Sequence, residues 1–386
     1  MENREGLGSG ERADAIVVGG GVIGLVVARA LARRGLRRVL VIERARVGAE
    51  ASFAAAGMLA AQAEADRADD FLELARASRD LYPAFAEALR EETGIDIELE
   101  RTGTLYLAFT EEDEEEVAHR YRWQARAGLS VEELSADEAR RLEPCVSREV
   151  RRALRFPLDA QVENRRLLAA LASSIEKYGV RLFTGTHVQS LIIERGRVAG
   201  VETARGHFYA PAVVMACGAW ASLIAPTDTR VPPVRIEPVR GQMLCFEALR
   251  RPFRHVIYSP RGYIVPRLDG RLLAGSTTEH AGFDKRVTAE GVHQITTHAL
   301  EIAPVIGGFP LLDMWAGLRP RAVDDLPVLG ACSDVPGLVF ATGHYRNGIL
   351  LAPITGELIA GLIVDGATQP LLSAFSPDRF NCVGVN

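Results

Sequence analysis

The stretch from Asp14 to Glu43, DAIVVGGGVIGLVVARALARRGLRRVLVIE, constrains the fold more than any other part of this 386-residue chain. A short β-branched run, Ala15 to Val18, passes through Gly19-Gly20-Gly21 to Gly24, continues as an amphipathic helical pattern to about Arg34, and re-enters an apolar run from Val39 to Ile42. Strand, glycine turn, helix and strand read as a βαβ unit. Gly19 permits the tight turn, Gly21 lets backbone lie against a pyrophosphate, and Gly24 lets the helix pack closely on the strands. Free amides at the helix start, with the helix dipole behind them, hold phosphates. Glu43 ends the second strand nineteen residues after Gly24. An acidic side chain there accepts hydrogen bonds from a ribose diol and repels a 2′-phosphate, although Arg44 and Arg46 close by soften that repulsion. A dinucleotide site is the expectation.

A chain this long exceeds what a single core usually supports, so two domains are expected. With 48% hydrophobic and 25% charged residues it has the composition of a globular protein. A net charge of -5 leaves no electrostatic footprint for nucleic acid or anionic lipid. The five cysteines, Cys145, Cys217, Cys245, Cys332 and Cys382, are scattered without a CxxC pair, which points to a reduced compartment and no structural metal. Residues 1 to about 12 read as a polar leader without the basic start of a signal peptide, and no window is apolar enough for a membrane span. A soluble, cytoplasmic protein is expected.

Val47 to Glu64 is rich in small residues, with Ser52, Ala56, Gly57 and Met58 among them, a density that lets backbone approach something large and flat or simply packs an Ala-rich helix. Asp69 to Glu92 reads as a helix, Ile95 to Phe109 as a hairpin broken at Gly103, and Thr110 and Ser135 as helix caps. Beyond Pro157, α/β grammar returns: a helix from Asn164 to Tyr178, a meander starting at Val188, and a strand from Ala212 to Ala216 running into Cys217-Gly218-Ala219-Trp220. The Pro-rich stretch Pro226 to Pro233 marks a domain crossing, and strands then dominate, including Arg271 to Thr278 and Asp313 to Arg319, the last ending at Pro320. Leu338 to Thr342 is a further strand, and the loop from Gly343 to Gly348 feeds an apolar helix from Ile349 to Val364.

The fold class expected is α/β, α+β overall. A discontinuous Rossmann-like FAD-binding domain (13–90, 157–226 and 318–380) interleaves with a mainly antiparallel-sheet substrate domain (91–156 and 227–317). Such interleaving separates a flavoprotein from an NAD dehydrogenase, whose nucleotide domain is usually one block.

VVGGGVIG with Glu43, SFAAAGMLA, GYIVPR followed by GRLLAGSTT, DMWAGLRP and GHYRNGILLAP together resemble the FAD-dependent amine and amino-acid oxidases of the D-amino-acid oxidase superfamily, most nearly the glycine oxidases of thiamine biosynthesis. The likeness runs from about Ala13 to Phe380. It implies a non-covalent FAD lined by Gly19, Gly21, Val22, Ile23, Gly24, Glu43, Arg44, Ser52, Ala56, Gly57, Met58, Val188, Cys217, Gly218, Trp220, His344, Arg346, Asn347, Gly348 and Ile349. No cysteine falls between Arg319 and Pro327, where some sarcosine oxidases attach their flavin. By matched position, Arg319 implies a partner for the substrate carboxylate, Tyr263 a hydroxyl donor to it and Arg346 a further cavity residue. Thr278 and Met58 would line the substrate pocket, with Thr278 departing from the methionine of the resembled family.

The chemistry so implied is hydride transfer from the α-carbon of a small amino acid or amine to flavin N5, then oxidation by molecular oxygen to hydrogen peroxide. The amides of Asn347 and Gly348, at the head of the Ile349 to Val364 helix, would face the flavin N1–C2=O edge. A homo-oligomer is implied as well. By residue chemistry alone, Arg319 could instead pair with Asp324 or Asp325, and Tyr263 could be ordinary strand packing. A D-amino-acid dehydrogenase passing electrons to quinone, or a catalytically silent flavin-binding subunit, are the competing functions.

Overall fold

A computed structural model describes residues 10–224 and 228–380, so the start of the leader, Pro226 at the expected crossing, and Cys382 lie outside the described residues. The βαβ unit forms where the sequence places it: β1 (Ala15–Val18), α1 (Val22–Arg33) and β2 (Val39–Ile42). β1 is an inner strand of a six-stranded sheet, between β2 and Val213–Met215. Arg181–Phe183 lies beyond β2, and Leu338–Thr342 and Val328–Ala331 lie beyond Val213–Met215. All neighbours run parallel except Val328–Ala331, which is antiparallel to Leu338–Thr342.

These strands read as unbroken apolar runs because both faces are covered. Val17 and Val41 belong to a core shared with α1 and the C-terminal helix, while Ile16, Val18, Leu40 and Ile42 belong to a second core on the opposite face. Two glycines set how tightly the turn closes. Gly19 sits at φ +111°, and a Cβ there would lie 2.4 Å from the Ala216 carbonyl oxygen. A Cβ on Gly24 would lie 1.8 Å from the Gly19 oxygen, so the helix can approach the strand only without one.

The eight-stranded sheet carries β3 (Ile236–Glu247) next to its edge, flanked by β4 (Arg271–Gly275) and β5 (Leu311–Ala322). β5 is antiparallel to β3, with Arg319 opposite Val239 and Gly317 opposite Gly241. The strand expected to stop at Pro320 runs through it. Pro320 faces Pro238 in register, and the neighbouring Arg240 amide on β3 points away from β5, to the Glu279 oxygen at 2.9 Å. The missing proline amides therefore lie outside the β3–β5 ladder, and no bond between these strands is lost. The boundary expected at 317/318 thus falls inside one continuous strand.

Three other expectations are corrected. Ile95 to Phe109 is not a hairpin: only Thr104–Ala108 is a strand. Glu98 at φ 54° interrupts the extended run before it, and Glu100 makes only an isolated bridge to Gln161. The strand from Arg271 stops at Gly275 rather than Thr278. The last long helix starts at Ala352, not Ile349, because Pro353 occupies its first turn, the place where a missing amide costs least. No helix among the described residues is long and apolar enough to cross a membrane.

Candidate active site

A continuous cleft, open to solvent, runs from the carboxyl end of β1 to the eight-stranded sheet, so that the glycine turn and Arg319 line one space.

At one end the helix start presents its amides. Gly21 is extended at φ −77°, ψ 179°, and a Cβ there would meet only the Ser52 hydroxyl, at 3.3 Å, so the cleft side is free for close approach. The same hydroxyl accepts the Val22 amide at 3.0 Å. Glu43 is 8% exposed. Its Oε2 accepts the Gly20 amide at 2.7 Å and its Oε1 the Ala45 amide at 2.8 Å, which fixes the carboxylate in the cleft wall with a further lone pair on each oxygen. Arg44 stacks 3.8 Å over the Trp220 ring and pairs with Glu50, which also takes Lys285 Nζ at 2.9 Å. Arg44 is thereby committed, and a 2′-phosphate here would face Glu43. Open backbone at Gly21, a helix N-terminus and a fixed acidic side chain suit the pyrophosphate and ribose of FAD.

Every residue expected against the cofactor lines the cleft except Gly24, which lies behind the turn as its packing role demands. Two of the expected contacts change. The Asn347 amide is used within its own turn, donating to the His344 oxygen at 2.8 Å, and the helix begins at Ala352, three residues later than its expected start at Ile349. Gly348 keeps its place in the lining without that helix start. His344, with Nε2 3.1 Å from the Thr355 hydroxyl, has its pKa pushed down to about 3 by burial and is a neutral wall residue.

The other end holds the expected substrate residues. Arg319, Tyr263, Met58 and Arg346 all line the cleft. Arg319 donates to the Ser276 hydroxyl at 2.5 Å and to the Thr277 carbonyl at 3.1 Å. Among the described residues it has no carboxylate partner. Asp324 is taken by Arg379 at 2.7 Å and Asp325 by Arg321 at 2.6 Å, which removes the structural ion pair that the sequence left open. Tyr263 is 7% exposed, with its hydroxyl 3.2 Å from Met243 Sδ. It stacks on Tyr258 at 6.1 Å, and Tyr258 on Tyr106 at 5.4 Å.

Thr278 does not belong here. It is exposed and absent from the lining. With β4 ending at Gly275, the buried Thr277 turns inward, its hydroxyl accepting the Gln242 amide at 2.9 Å, and Thr278 points away.

Two residues were missed. Glu64 lines the cleft and pairs with Arg346 at 2.9 Å. Nothing in the run of small residues that it ends foretold a partner 282 positions away. Gly241 on β3 lies beneath Arg319: a Cβ there would fall 2.3 Å from both terminal nitrogens of its guanidinium. The pattern RGQ inside a strand was the available signal, since an interior glycine marks close approach of another group. Gly241→Ala is expected to displace the guanidinium and to lower kcat/KM by about ten-fold or more, with the flavin spectrum intact, as loss of one charged hydrogen bond would; steady-state kinetics on the purified variant check this.

Comparison with known proteins shows the family. The model of the family described as FAD dependent oxidoreductase matches residues 14–362. Glycine oxidase of Geobacillus kaustophilus is 39% identical over 372 residues, covering 95% of this chain and 97% of the relative. The Bifunctional protein ThiO/ThiG of Synechocystis is 35% identical over 95% of this chain, which spans 54% of that longer protein. The crystal structure of the Geobacillus kaustophilus glycine oxidase superposes with a TM-score of 0.91 at 37% identity, covering 96% of this chain and 99% of the other. The likeness read from the motifs is thus borne out across the chain.

Proposed function

The chain belongs to the FAD dependent oxidoreductase family, and from that premise we propose that it oxidises glycine and other small amino acids or amines, such as sarcosine and D-alanine, to the imine. The coarser statement needs no proposal: this is an FAD-dependent amino-acid oxidase, like the relatives that cover nearly its full length.

One observation carries the finer reading. Arg319 is a guanidinium in the cleft wall held, among the described residues, by neutral oxygens alone, from Ser276, Thr277 and Arg240. A cation so placed lacks an anion, and a planar fork fits a carboxylate in bidentate fashion. Tyr263, with only the weak acceptor Met243 Sδ at its hydroxyl, has a donor to offer the same carboxylate. Together they would fix the α-carbon over the flat part of the cleft, where orientation provides most of the rate.

When bound, FAD supplies the acceptor for the two electrons of the α C–H bond and passes them to molecular oxygen as hydrogen peroxide. Arg319 and Tyr263 hold the substrate's carboxylate, and the apolar wall of Met58, Ala56 and Met243 excludes water from the C–H bond. No strong base lies among the substrate-end residues: Glu64 is engaged by Arg346. The amine must therefore arrive neutral or lose its proton to solvent. The imine then hydrolyses to oxo acid and ammonia, or is handed on to thiazole synthesis.

We also read the flavin as non-covalent and the enzyme as a cytoplasmic homo-oligomer. The cofactor-binding part would comprise 13–90, 157–226 and 318–380, with 91–156 and 227–317 on the substrate side; strand membership supports this partition except at the junction inside β5.

Anaerobic addition of glycine, sarcosine or D-alanine to the yellow protein should bleach the flavin absorption band, and readmitted oxygen should restore it with one peroxide per turnover. A flavin that stays oxidised with all three substrates contradicts the proposal. One that bleaches but is slow to reoxidise in air favours a dehydrogenase.

A further inference from the structure

The substrate end of the cleft holds two guanidinium groups in different states. Arg319 has only neutral partners, whereas the Arg346 guanidinium donates to Glu64 Oε1 and to the Tyr258 hydroxyl, both at 2.9 Å. The nearby Glu64 carboxylate raises the Arg346 pKa further, so the guanidinium stays charged. Summed over Arg319, Arg346 and Glu64, this end of the cleft carries one net positive charge, which matches one carboxylate.

The position of Glu64 is set by its backbone. It ends a turn whose backbone is clamped on both sides. The buried Asp159 accepts the Gln62 and Ala63 amides, each at 3.1 Å, while Arg120 donates to the Ala63 and Ala65 oxygens at 3.2 and 2.6 Å. Gln62 itself, 1% exposed, is tied to Gln124 at 3.0 Å. This frame fixes the backbone from which Glu64 reaches Arg346. Its side chain is 12% exposed, and a carboxylate so confined weakens the binding of any second anion in the cleft by like-charge repulsion.

We propose that Glu64 is the specificity-determining residue that restricts this enzyme to amines carrying one carboxylate, by occupying Arg346, which would otherwise take a second. This rests on the reading of Arg319 as the carboxylate clamp. Arg346 is in this sense a latent anion site, filled by the protein's own side chain. Replacing Glu64 by glutamine keeps the shape and the Tyr258 contact of Arg346 but raises the net charge by one, opening the cleft to N-carboxymethyl amines such as iminodiacetate.

The test uses two acids that bind without being oxidised, methoxyacetate with one carboxylate and diglycolate with two, titrated calorimetrically into the FAD-loaded protein. The native protein should bind methoxyacetate at least about ten-fold more tightly than diglycolate, the scale of one charged hydrogen bond. Glu64→Gln should shift that ratio about ten-fold or more towards diglycolate, and the shift should vanish in the double variant Glu64→Gln/Arg346→Leu. An unchanged ratio in Glu64→Gln, or a gain that survives the loss of Arg346, overturns the proposal. Should Glu64→Gln fail to hold flavin, the native comparison decides alone, and equal affinity for the two acids overturns it. If neither acid binds the native protein, the carboxylate clamp at Arg319 fails, and the gate fails with it.

Discussion

Replacing Arg319 with leucine should cut kcat/KM for glycine by about two to three orders of magnitude, mainly through KM, while the flavin spectrum stays that of the native protein. The size follows from removing one partner of a desolvated charge pair, about 2–5 kcal/mol. Each 1.4 kcal/mol is a factor of ten. The site itself should survive, because among the described residues Arg319 makes no ion pair: its bonds run to Ser276, Thr277 and Arg240 oxygens, and the nearby aspartates are held by Arg321 and Arg379. Truncating Arg319 leaves those neutral oxygens to water, a smaller loss than an orphaned buried charge. Steady-state kinetics with a spectrum of the purified variant separate the outcomes. Native kinetics would remove Arg319 from the site, and loss of flavin would make it a structural residue.

The second large effect concerns the turn under the cofactor. Gly24→Ala should yield protein without bound flavin and with a markedly lower melting temperature. An alanine Cβ would sit 1.8 Å from the Gly19 carbonyl oxygen and 3.4 Å from Val17 Cγ1. The nearer atom is backbone at the tightest point of the β1–α1 turn and cannot rotate out of the way. Overpacking of this kind typically costs about 1–3 kcal/mol or more, from a total of about 5–15 kcal/mol for a folded domain. The shift of α1 would also move the amides of Val22 and Ile23 that border the cleft. A variant purified yellow, with native melting behaviour, would mean that the helix can back away from the strand and that this glycine has been over-read.

Much of this was legible before any coordinates. The βαβ unit announced itself because each of its parts has a local cause: strands buried on both faces run continuously apolar, and glycines mark where backbone meets backbone. Caps were readable for the same reason. The Thr110 and Ser135 hydroxyls each accept the amide three residues on, and their own amides donate to the carboxylate of that residue, so both bonds close within four residues. What stayed hidden was non-local. The Glu64–Arg346 pair, the empty space over Gly241 that admits Arg319, and the register that lets Pro320 sit opposite Pro238 depend on segments brought together only by folding. Thr278 failed for a related reason. A position matched by motif carries the residue but not its direction, and one early strand ending at Gly275 turned Thr277 inward in its place.

The start of the last helix gives a similar lesson at smaller scale. Apolar residues from Ile349 onward fit helical spacing, yet Pro353 sets the first turn and leaves residues 348 to 351 in a separate turn closed by the Leu351 amide, which donates to the Asn347 oxygen at 2.8 Å. Spacing identified the element, and proline chemistry located its end.

The account depends above all on a small carboxylate pinned by Arg319 in a cleft that holds FAD. A crystal structure of the FAD-loaded protein with methoxyacetate bound tests this most directly. The carboxylate should lie with both oxygens within about 2.7–3.2 Å of the Arg319 guanidinium, near the Tyr263 hydroxyl and against the flavin ring. A carboxylate seated on Arg346 with Arg319 still bound only to Ser276 and Thr277, or a flavin lying outside this cleft, would contradict it.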